Sequence, residues 1–185
     1  MKIFKAFLGI ATFFYSTSLF AHNIQLNSPL AAVSVTKAGE LSVKGDDIHY
    51  QAWHSTQLAG KVRVVNHFAG RREVKERNQA LIDAIKAAQF DRAKYQTTTI
   101  INADDATFGT GGFVKSGAEK GKKANPHSQV VLDQNGAVKN AWQLKEKENM
   151  VVVLDKHGKV RFVHEGVLSA SQVQEVVRLL SELLK

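Results

Sequence analysis

The feature that most narrows the folds open to this chain is a change of apolar period at Ala69-Gly70. Before it, Val62, Val64 and Val65 lead into Asn66-His67-Phe68, a stretch that is apolar at most positions and rich in β-branched side chains. Such a run is the pattern of a strand covered on both faces. After it, Val74, Leu81, Ile82, Ile85 and Ala88 recur at helical spacing from Glu73 to Ala88. Glu73 and Glu76 lie near the start of that segment and Lys86 near its end, as the helix dipole favours. Tyr95 to Ile101 then returns to a strand rich in Thr and Ile. Strand, helix and strand over so short a span predict a right-handed crossover between parallel strands.

Around this unit the remaining segments are simpler. Residues 22 to 37 show no period and predict an extended lead-in. Leu41 to Val43 and Ile48 to Trp53 flank Lys44-Gly45-Asp46-Asp47 as a hairpin. The stretch from Asn102 to Asn125 begins acidic, becomes glycine-rich and ends basic, with a short helix expected from Phe113 to Lys123. Gln129 to Leu132 reads as a strand closed by the turn Asp133 to Gly136. Val151 to Leu154 and Lys159 to His164 read as an antiparallel hairpin. Ser169 with Gln172 forms a capping box ahead of a last helix, whose apolar face is Val173, Val176, Val177, Leu180, Leu183 and Leu184. No repeat or linker divides the chain.

The N-terminus predicts export. Lys2 and Lys5 precede an apolar stretch from Ala6 to Tyr15, and Ser16, Thr17 and Ser18 then lead to Ala21. That is the pattern of a cleaved secretory signal, residues 1–21, and the apolar stretch is too short to span a bilayer. The expected mature domain is residues 22–185, located in the periplasm and without a transmembrane segment. Loss of Lys2 and Lys5 lowers the formal charge from +8 to +6. The chain has no cysteine, which excludes disulfide staples, thiol redox chemistry, cysteine nucleophiles and thiolate metal sites.

The element order is the plan of the thioredoxin core, and particular residues support it. Leu58 to Val62 followed by Val65-Asn66-His67-Phe68-Ala69 resembles the signature of exported thioredoxin-like reductases. Val130 to Asp133 and the segment Val151 to Gly158 resemble their later strands. More closely, the chain resembles the YtfJ family of exported proteobacterial proteins. The motifs are Gly60 to Val64, Ala69-Gly70-Arg71, Tyr95 to Ile100, Ala141 to Leu144 and Val151 to Lys156. The resemblance implies an α/β thioredoxin-like fold: a central mixed sheet, helices on both faces and an N-terminal β-hairpin extension. It brings no established activity with it. In redox relatives the corner after Ala69 carries two cysteines, at positions that fall here on Arg72 and Lys75. A cis-proline of those relatives is replaced by Asn149 or Met150.

Open α/β sheets bind ligands beyond the carboxyl ends of their parallel strands. The candidate rim is therefore His67, Arg71, Arg72 and Lys75 after the first strand, Asp104 and Asp105 after the next, and Asn149 at the start of the hairpin. The arginines and Lys75 suit an anionic group or a protein surface. The leading expectation is a non-enzymatic periplasmic module that binds a protein or a small anionic ligand, with no cofactor and no metal. Two alternatives stay open: a cysteine-independent enzyme or metal-binding protein using His67 with Asp104 or Asp105, and an envelope accessory protein acting through its basic surface. The histidines show no zinc-type pairing, and the glycines from Gly109 to Gly112 miss the Walker spacing. The Lys120 to Lys123 cluster lacks interleaved aromatics, so nucleic acid is not an expected partner.

Overall fold

The computed structural model describes residues 22–185. The predicted signal, residues 1–21, lies outside the described residues. Seven strands form one mixed sheet in the order β2-β1-β5-β4-β3-β6-β7. Its centre is the unit predicted from the change of period. β3 (Val62–Ala69) is buried along its whole length and pairs in parallel with β4 (Tyr95–Asn102), Val62 facing Tyr95 and Ala69 facing Asn102. β4 pairs in parallel with β5 (Gln129–Asp133). On the other side of β3, β6 (Asn149–Leu154) and β7 (Val160–Glu165) add the antiparallel hairpin. The predicted N-terminal hairpin, β1 (Ser34–Lys44) and β2 (Asp47–His54), joins the sheet through β1 against β5.

Period-2 alternation divides the core into two layers. Val65, Ile100, Val131 and Val152 face one side, where they pack against Val138 and Trp142 of α4 (Ala137–Trp142) and against Ile24 and Leu30 of the lead-in. Val64, Val151 and Val153 face the other, against Leu81 and Ile85 of α2 (Gln79–Ala88) and Val176 and Leu180 of α5 (Ala170–Leu183). On that same side Phe68, Ile101 and Leu132 meet Val74 of α1 (Arg72–Glu76) and Ala118 of α3 (Gly111–Ala124). The Ser169 capping box forms as read: its hydroxyl accepts from the Gln172 amide and the Gln172 side chain accepts from the Ser169 amide.

Three expectations are corrected. The helix read from Glu73 to Ala88 is two helices, broken at Arg77 and Asn78. Buried Asn78 accepts from the Leu168 amide at 3.0 Å and donates to the Gly166 carbonyl at 3.4 Å, so its side chain serves the far end of the chain rather than the helix surface. β1 begins at Ser34, inside the segment read as a featureless lead-in. A helix, α4, follows the Asp133–Gly136 turn, where the sequence reading placed none.

Candidate functional site

The carboxyl ends of β3, β4 and β5 meet at a polar knot built on Asp105. This carboxylate is buried and accepts from Asn102 Nδ2 at 3.1 Å, from the Lys147 amide at 3.1 Å and from Lys139 Nζ at 3.4 Å. Each donor comes from a different place. Asn102 ends β4, Lys147 lies in the loop before β6, and Lys139 projects from α4. Asp133 explains why α4 starts where it does, since its carboxylate accepts from the amides of Asn135 and Val138. The Lys139 ammonium also lies 3.6 Å from Asp104 and 3.6 Å from Glu146. Burial lowers its affinity for a proton, but Asp105, Glu146 and Asp104 outweigh that and raise it, so the amine stays charged.

His67 lies directly behind this knot. It is 2% exposed, and its Nε2 has no hydrogen-bond partner among the described residues. Burial holds its pKa down at about 4; Asp105 opposes the shift and Lys139 adds to it. The imidazole is therefore neutral at ordinary pH.

The rim residues read from the sequence do not share one pocket. His67 and Asp105 are brought together, and Asp104 joins them through Lys139. Arg71 lies over them: its Nε donates to the Asp105 carbonyl at 2.8 Å and its Nη1 approaches Thr107 Oγ1 at 3.4 Å. Arg72 and Lys75 point into solvent, Arg72 beside Glu76 at 3.3 Å. α1 has only five residues, so little dipole backs these cations. Asn149 pairs with Phe68 and His67 with Met150, which puts Asn149 and His67 on opposite faces of the sheet. The Asn149 amide donates to the Gly166 carbonyl at 2.9 Å, and its Oδ1 is buried without a partner among the described residues.

Two features of this end of the molecule were missed by sequence reasoning. Lys139, the hub of the ion pairs, sits on the helix that was not predicted; the spacing of Val138, Ala141 and Trp142 after a capping Asp133 was the available signal. The second is an aromatic loop. Phe108 is fully exposed and Phe113 is 81% exposed, on the segment that enters α3. Gly70 brings this loop against the β3 corner. Its amide donates to the Asn102 carbonyl at 2.7 Å, and a Cβ there would meet that oxygen at 3.0 Å and Val114 at 3.1 Å. A shallow groove of about 360 Å³ runs beside the loop between Lys37, Gly111, Gly112 and Lys115. Among the described residues, no three His, Asp or Glu side chains are grouped to hold a metal ion, and no helix is long and apolar enough to cross a membrane.

The solved structures similar to this chain carry thioredoxin-like folds. A putative protein disulfide isomerase from Bacteroides thetaiotaomicron superposes with a TM-score of 0.62 at 16% identity, covering 88% of this chain and 92% of that one. The thioredoxin domain of a thiol-disulfide oxidoreductase from Bacteroides vulgatus gives 0.56 at 14% identity, covering 88% and 100%. In sequence, an uncharacterized protein of Haemophilus influenzae is 58% identical over 92% of this chain and 93% of its own length. The uncharacterized protein YtfJ of Escherichia coli is 47% identical over 89% and 90%. The family described as bacterial protein of unknown function (YtfJ_HI0045) matches residues 24–183, and the chain belongs to it.

Proposed function

We propose that the protein is an exported, non-enzymatic binding module that offers the strand-end rim to an envelope protein or a small anionic ligand. The observation that carries this reading is the closure of the knot. All three donors converge on Asp105, His67 is sealed behind it, and the charged side chains left facing solvent at the corner are Arg72, paired with Glu76, together with Glu73 and Lys75. A sealed acid–base pair cannot meet a substrate, whereas exposed charged side chains at the strand ends suit recognition. The basic N-terminal segment with its apolar stretch supports export.

The test is in-cell photocrosslinking from position 75. A discrete adduct that disappears with Arg72→Glu is expected. Cells without any adduct, or an adduct indifferent to that charge reversal, would defeat the assignment of the rim. One observation favours the alternative of acid–base or metal chemistry: the unpartnered His67 Nε2 lies close enough to Asp105 and Lys139 to feel both charges. That alternative predicts bound metal by elemental analysis, or a hydrolytic activity that His67→Ala removes while the fold persists.

A further inference from the structure

From Ala106 to Val114 the chain carries no charge, and it holds two phenylalanines separated by Gly109, Gly111 and Gly112. Both rings stand out from the protein rather than lining a hollow, and Phe108 is as exposed as in an isolated peptide. The loop is nonetheless held at its base. Thr110 accepts from the amides of Phe113 and Val114 and donates its hydroxyl to the Thr107 carbonyl, and Arg71 braces Thr107. Two large apolar groups on a braced, uncharged tip are costly in water and need a covering phase.

The surroundings say which phase. Behind the tip, α3 exposes Lys115, Lys120 and Lys123 against a single acid, Glu119, which is engaged by the Tyr50 hydroxyl at 2.7 Å and by Lys115; the fourth lysine, Lys122, is buried and donates to the Pro126 and Ser128 carbonyls. Lys37 and Lys115 flank the groove beside Gly111 and Gly112. An uncharged aromatic tip with Lys115 in its own helical turn, and Lys120 and Lys123 about two and three turns further along α3, follows the order of a lipid interface, apolar at the acyl boundary and anionic at the headgroups. A protein partner would need a concavity to receive two protruding rings, and nothing in the charge distribution calls for one.

We propose that the Phe108–Phe113 tip inserts shallowly into an anionic phospholipid surface and docks the domain there. The assignment is independent of what the rim binds.

The experiment uses Phe108→Trp as a local reporter, because Trp53 and Trp142 are fully buried and contribute a constant background. Vesicles of phosphatidylglycerol and phosphatidylcholine in equal parts are expected to shift the new emission to the blue. Phe113→Ser in the same background should lower the partition coefficient about tenfold. Added salt and vesicles of phosphatidylcholine alone should each weaken the shift. Emission that ignores the anionic vesicles, or that responds equally with and without Phe113, overturns the proposal. So does a photocrosslink from position 108 to a polypeptide, which would assign the tip to a protein instead. Because the reporter reads position 108, a failure here leaves the position 75 result standing, and the converse holds as well.

Discussion

His67 shows how one side chain can be recognised by type and still be misjudged in setting. Its strand position marks it as a packing residue, but a packing histidine would ordinarily satisfy both ring nitrogens, and here Nε2 is left without a described partner. The reason is invisible in the sequence: Lys139 is seventy-two positions away and claims the Asp105 carboxylate that could have served the imidazole. Its electrostatics give a prediction with a definite sign. The ring's pKa falls from 6.5 in the unfolded chain to about 4 in the fold. Between those values only the unfolded chain takes up the proton, so stability present above pH 6.5 is lost progressively as the pH falls toward 4. Urea unfolding of the wild type should lose about 2 kcal/mol more than His67→Phe between pH 7 and pH 4.5. Carboxylates contribute to both proteins alike, so the comparison isolates the ring. Parallel curves would mean that the imidazole is not sealed. Arg71, Asp104 and Asp105 were readable as rim residues because strand ends face one edge of a parallel sheet. That Asn149 faces away from them depends on whether it pairs with Phe68 or with His67, a register that no local pattern sets.

At the level of elements, legibility followed regularity. β3, β4 and α5 are legible because β-branched runs in the strands and helical spacing in the helix continue unbroken through them. β1 was read short because a bulge interrupts it: its pairing with β2 jumps between Val35 and Glu40, and Ala38 and Gly39 both have positive φ. The insertion shifts the apolar pattern by the extra residues and erases the alternation on which the reading relied. Gly39 makes that bulge possible. Its φ is +78°, and a Cβ there would lie 2.1 Å from the Gln51 carbonyl oxygen, a clash with backbone that no rotamer relieves. Gly39→Ala should therefore destabilise the protein by about 2 kcal/mol or more, with loss of amide protection concentrated in β1 and β2. Hydrogen exchange that leaves the hairpin as protected as before would show that the bulge can be rebuilt without glycine. The α1–α2 break was hidden for a related reason: Asn78 looks like an ordinary surface residue until Leu168, ninety positions later, is placed beside it.

Across the whole molecule, the two edges of the sheet are treated differently, and the difference explains what residues 22 to 33 do. β2 forms one edge. At the other, the lead-in crosses the start of β7: the Asn27 amide donates to the Val160 carbonyl at 2.7 Å, the Val160 amide donates to the Ser28 carbonyl at 3.0 Å, and Pro29 bridges to Lys159. The same strap holds α4, through the Asn23 amide on the Trp142 carbonyl and Trp142 Nε1 on the Ala31 carbonyl at 2.9 Å. It also seats Ile24 and Leu30 against the core face that contains Trp142. A segment without periodicity thus replaces part of a core layer and covers a strand edge, two tasks that leave no periodic trace because its contacts are irregular. A chain beginning at Val33 would lose the burial of Ile24 and Leu30 and leave the Trp142 indole N–H without its acceptor. Its stability should fall by about 4 kcal/mol. The uncovered backbone of β7 should also promote strand pairing between molecules. Urea titration and sedimentation velocity check the two effects separately: a lowered midpoint reports the lost core, and a concentration-dependent rise in sedimentation coefficient reports the bared edge. A shortened chain with an unchanged midpoint and one concentration-independent boundary would mean that the strap only lies on a domain complete without it.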